Sequence, residues 1–210
     1  MPKDWFRSPD WSLAAQADFE ARVLRARPNN RAQYMRIKGL ALSDAGEIRG
    51  ARELWERVLQ STDELAVTQK AAALEHLGDS YTDDDPATAE AYFRRLLAEH
   101  PTLNGTSCTV EIALAEVLIE KGDAASVNEA QALLNSFFER GTSQFPNVLF
   151  RWHLALIRIA EALGDDVTVQ HAARTALSLV ERGPVFPRHK TVGVVHADKW
   201  TLTRLKKLAR

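Results

Sequence analysis

The sequence has a single cysteine, Cys108, which excludes an intrachain disulfide and suits a reducing compartment. Long apolar runs are missing as well. None approaches the roughly 20 residues of a membrane-spanning helix. The first residues, MPKDWFRSPDW, have no apolar centre of the kind a secretory signal needs. These absences place the expected location in the cytoplasm. No glycine-rich phosphate loop occurs, and no G-x-S-x-G elbow. His76, His100, His153, His171, His189 and His196 show no tight spacing to carboxylates or to Cys108 that would suit a metal. No cofactor, no metal and no catalysis are therefore expected. The formal net charge is −1, so the chain as a whole has no polyelectrolyte character.

Charge is nevertheless uneven along the 210 residues. Residues 61–180 hold 8 Lys or Arg against 18 Asp or Glu, while residues 181–210 hold 8 against 2. Residues 1–60 hold 11 against 8, so an acidic middle between basic ends is the clearest electrostatic feature. The apolar fraction of 45% is ordinary for a folded soluble protein.

Helical periodicity runs through most of the chain. Ser12 suits an N-cap, and Leu13, Ala17, Phe19, Val23 and Leu24 follow a helical spacing up to Pro28. Before it, Trp5, Phe6 and Trp11 flank Ser8-Pro9. The proline and polar residues argue against a helix there, and the aromatics are expected to tuck against the first helices. The central stretch, Ala73 to Pro101, is the most informative. Leu74, Leu77, Gly78 and Tyr81 fall at the spacing L-x-x-L-G-x-x-Y. After the acidic turn Asp83-Asp84-Asp85, Ala89 and Phe93 stand four apart, and Pro101 closes the unit. A glycine on an apolar helix face lets a neighbouring helix approach closely, and Tyr81 and Phe93 fill the space around that approach. Asp85 is a good N-cap and Pro86 suits the first helical turn. The acidic run reads as a solvated turn and cap, because it lacks the spaced ligands of a calcium loop.

This order of residues resembles a tetratricopeptide repeat: W-x-x-L-G-x-x-Y, then A-x-x-x-F, then P. Imperfect copies surround it. Gly39, Gly46, Ala51 and Trp55 form one, with Lys38 where a leucine is expected. Ala115, Gly122, Ala130, Leu134 and Phe137 form another, with a turn read as about three residues longer than in the first copy. Trp152, Leu156, Gly164, Ala173 and Leu177 form the last, with Ile157 at the glycine-equivalent position. The equivalent positions Gly39, Gly78, Ala115 and Ile157 lie 39, 37 and 42 residues apart. HEAT-like helix pairs have similar spacing and stay open as the alternative. The expected fold is all-α: a right-handed superhelix of about four hairpins over residues 1–181, beginning on a half repeat. Residues 182–210 follow as an irregular segment and a basic capping helix. Thr191 to Val195 looks extended, and Asp198 is placed to cap the helix Lys199 to Leu208.

The resemblance implies a protein-interaction adaptor or scaffold whose first helices line a concave, peptide-binding groove. Carried over residue by residue, it implies groove positions for Arg36 and Asp44 in the first copy and for Ala72, Glu75, Asp79 and Asp83 in the second. In the third it implies Ile112, Glu116 and Glu120, and in the fourth Arg151 and Arg158. One subfamily grips a C-terminal carboxylate with Lys and Asn. Here Arg36, Leu40 and His76 stand at three of those positions and no asparagine is present, so that ligand is not expected. The acidic middle of the groove favours a basic protein or peptide, and the basic tail is placed to compete for it. Too few cations cluster for a nucleic-acid footprint. A structural homodimer built on Trp5–Trp11 or on the cap helix, and an enzyme with an unrecognised site, are the competing readings. The chain is expected to be a monomer or a homodimer.

Overall fold

The structure is a computed structural model and describes residues 4–141 and 145–210. Among them are ten α-helices and no β-strand. The chain divides into two compact units, Met1–Ser107 and Cys108–Arg210.

The first unit holds α1 (Leu13–Arg25), α2 (Pro28–Asp44), α3 (Ile48–Leu59), α4 (Val67–Tyr81) and α5 (Pro86–Glu99). Local signals set most of these limits. Ser12 Oγ accepts from Ala15 N at 3.3 Å, and Pro28 and Pro86 sit in first turns, where a missing N–H costs nothing. Gly46 takes φ +82 in the turn after α2, a conformation that a side chain would strain. α2 pairs with α3 and α4 with α5, and α4 also packs on α2 and α3. Close approach within each pair depends on a missing side chain. A Cβ on Gly39 would stand 2.8 Å from Trp55 Cδ1, and one on Gly78 would stand 2.6 Å from Phe93 Cδ1. Both rings are buried in the core, and each such burial stabilises the fold by about 1.5–3 kcal/mol.

Lys38 does not behave as a misplaced repeat position. It is 2% exposed, and its Nζ donates to the carbonyls of Ser8 and Asp10 at 2.5 and 2.8 Å. The ammonium also lies over the rings of Trp11 and Phe19. It pins the segment before α1, where Trp5, Phe6 and Trp11 pack on the core as expected. That segment includes a single 3-10 turn, Trp5–Arg7, where no helix was anticipated.

The second unit holds α6 (Val110–Lys121), α7 (Ala124–Arg140), α8 (Pro146–Leu163), α9 (Asp166–Val180) and α10 (Lys199–Leu208). α6 pairs with α7 and α8 with α9, α8 also packs on α6 and α7, and α10 packs on α9. One device starts four helices across the two units. Asp85, Asp123, Asp165 and Asp198 each accept from the N–H and the hydroxyl of a Thr or Ser three residues on. Asp123 therefore begins α7 directly after Gly122, and the long turn expected before α7 is absent. Its residues extend the helix instead. Residues 191–195 are likewise not extended. Val192 N and Val194 N close turns onto His189 O and Thr191 O, and Gly193 takes φ +78. Gly193 O accepts from Asn147 N at 3.1 Å, which ties this segment to the start of α8.

Candidate functional site

A cleft of about 790 Å³ opens in the first unit between α2, α3 and α4. Leu40 and Ser43 line it from α2, Arg52 and Trp55 from α3, and His76, Asp79 and Tyr81 from α4. Asp83 and Asp84 of the following turn close one end. The helical spacing of Leu40 and Ser43, and of His76 and Asp79, puts each pair on one face.

Arg52 organises that acidic end. Its guanidinium stacks on the Tyr81 ring, 3.5 Å from the centroid, and meets Asp84 Oδ1 through Nη2 at 2.8 Å. Its Nε donates to Ser80 Oγ at 3.0 Å. The arginine holds the Asp84 carboxyl below its ordinary range. Asp84 is thus neutralised in place, and Asp79 and Asp83 also stand at the exposed face of the cleft. The inner wall is electrically quiet. His76 is pushed down to about 4, first by burial and then by the charge of Arg36, so its imidazole is neutral at pH 7. Arg36 Nη1 donates to His76 Nε2 at 3.3 Å and Arg36 Nε to Gln69 Oε1 at 2.7 Å.

The expected groove residues fall into different settings. Asp79 and Asp83 meet in the cleft, and Arg36 stands behind it on His76. Asp44 is the exposed last residue of α2. Glu75 is turned inward: it is 6% exposed and accepts from Ser107 N and Ser107 Oγ at 2.9 and 2.6 Å. Ala72 and Ile112 are buried too. In the second unit the expected acidic wall is matched by arginines. Arg151 Nε donates to Glu116 at 2.8 Å and Arg158 Nη2 to Glu120 at 2.7 Å. From α10, Arg204 Nη2 reaches Glu161 at 2.5 Å. α10 thus lies beside the groove positions Glu116 and Arg158.

Ile48, Arg49, Arg52, Trp55, Ser80 and Tyr81 also line the cleft and lie outside the groove positions that the repeat resemblance implies. Arg52 and Trp55 belong to α3, the second helix of its pair, whereas the repeat resemblance places groove positions on first helices. Among the described residues no three His, Cys, Asp or Glu gather as a metal site, and no helix is long and apolar enough to cross a membrane. No protein-family model, no curated protein and no solved structure matches the chain.

Proposed function

We propose that this chain is a non-catalytic, tetratricopeptide-like adaptor of the cytoplasm. Its helix pairs stack as a right-handed superhelix, and it binds a basic segment of a partner protein in the cleft of the first unit. The observation that carries this reading is the cleft itself. It couples two exposed carboxylates, Asp79 and Asp83, to a wall of Trp55, Leu40 and neutral His76. A lysine or arginine head suits the carboxylates, and its aliphatic stem suits the wall. The recurring helix pairs and the glycine-under-ring contacts of Gly39–Trp55 and Gly78–Phe93 support the repeat reading.

The test is capture of binding partners by the wild-type chain and by Asp79→Lys/Asp83→Lys, followed by titration with synthetic peptides from any partner recovered. Both positions are exposed, so the variant is expected to keep its circular dichroism spectrum. Loss of a lysine- or arginine-containing peptide in the variant supports the proposal. Retained affinity moves the site away from the cleft and overturns it.

A further inference from the structure

A second surface, in the second unit, carries the opposite charge preference. α10 and α8 enclose a notch of about 330 Å³ lined by Leu154, Ala155, Trp200 and Leu205, with Glu116, Arg158 and Arg204 at its rim. That volume is at the low end of small-molecule pockets, about 300–1,000 Å³. It suits one bulky side chain rather than a cofactor. Leu205 is buried in the floor, while Trp200 is 72% exposed. An exposed tryptophan beside an apolar notch is the residue type that most often dominates binding at an interface.

The charges around the notch select the occupant. Glu116 is matched by Arg151, Glu120 by Arg158 and Glu161 by Arg204. Asp198 is the one carboxylate in residues 198–210, and it caps α10 by accepting from Thr201 N and Oγ1. Lys199, Lys206, Lys207 and Arg210 are exposed on the same short segment. These carboxylates and their arginines neutralise one another, and the charge left over on the α10 segment is positive.

We infer that the α8–α10 notch is a docking site for an acidic protein segment that inserts one Leu or Phe side chain beside Trp200. Its negative flanks face the α10 lysines. The site is separate from the cleft of the first unit and does not depend on that reading.

The experiment uses the full chain and two labelled hexapeptides, Glu-Glu-Leu-Phe-Glu-Glu and its counterpart with lysine in place of every glutamate, followed by fluorescence anisotropy. The glutamate peptide is expected to bind at least about tenfold more tightly than the lysine one, a difference of about 1.4 kcal/mol. Its affinity is expected to fall as salt rises. Trp200→Ala removes the anchor and is expected to weaken binding by about tenfold or more. Lys206→Glu/Lys207→Glu leaves the notch intact and is expected to reduce affinity and its salt dependence. Circular dichroism checks the fold of both variants. Equal binding of the two peptides, no binding of either, or indifference to Trp200→Ala overturns the inference. So does a concentration-dependent dimer that Trp200→Ala abolishes, because a second copy would then occupy the notch.

Discussion

Gly78 lies directly beneath the ring of Phe93, with no room for a Cβ between the two helices. The same relation holds between Gly39 and Trp55, one helix pair earlier. Both glycines have ordinary helical backbones, so they are needed for space rather than for conformation. Gly78→Ala is therefore expected to destabilise the chain by about 1–3 kcal/mol through overpacking, despite alanine's better helix propensity. Phe93→Leu alone should destabilise by leaving a gap. Urea denaturation of the double variant Gly78→Ala/Phe93→Leu checks the contact: it should be more stable than the two separate losses add up to.

Lys38 offers a second test, because its partners are main-chain carbonyls. Lys38→Met keeps much of the stem and removes the ammonium, leaving Ser8 O and Asp10 O without that donor. The expected cost is about 1–3 kcal/mol. Amide exchange should accelerate over residues 4–12 far more than in α4 and α5. Uniform acceleration, or none, would contradict the pinning role.

Much of the helical pairing was legible, because Gly46, Gly122, Gly164, Pro28 and Pro86 punctuate the periodic segments and mark real helix ends. Trp55 and Phe93 were legible as second-helix packing residues because each follows its glycine by one hairpin. The settings of the charged residues were not. Lys38 answers carbonyls, which carry no side-chain signature. Glu75 meets Ser107, 32 residues on, and Glu116 meets Arg151, 35 residues on. A count of charge along the chain treats those carboxylates as free, whereas folding pairs them across helices. The start of α7 was readable in principle. Asp123-x-x-Ser126 is the same cap as Asp85-x-x-Thr88.

Glu75 and Asp83 separate a structural carboxylate from a solvent-facing one. Glu75→Gln keeps the shape but loses a charge-assisted interaction with Ser107, at an expected cost of about 1.5–3 kcal/mol. Glu75→Lys puts a cation against the Ser107 N–H in a buried position and is expected to cost more than about 3 kcal/mol. Asp83→Lys, at an exposed turn, should change stability by no more than about 0.5 kcal/mol. Thermal unfolding of the three variants orders them. If Glu75→Lys is as mild as Asp83→Lys, Glu75 is not held as described.

Acid should unfold the chain partly through two histidines, one in each unit. His76 packs on Trp55 and faces Arg36, and His153 lies beside Trp152 with His171 nearby. Burial is the larger cause in both cases and a neighbouring cationic or ionisable group the smaller, and each falls to about 4. In the unfolded chain a histidine titrates near 6.5. Between those values the unfolded state takes up protons that the folded state refuses, so stability rises with pH across the window. The contribution is fully present above about pH 6.5 and is lost as pH falls toward 4, on the order of 1–3 kcal/mol for each histidine. Urea denaturation at a series of pH values should therefore show a slope in this range. His76→Gln and His153→Gln should each flatten part of it, and the double variant should flatten most. Curves that run parallel to wild type in both single variants would mean that the two imidazoles titrate in the folded chain as they do in the unfolded one.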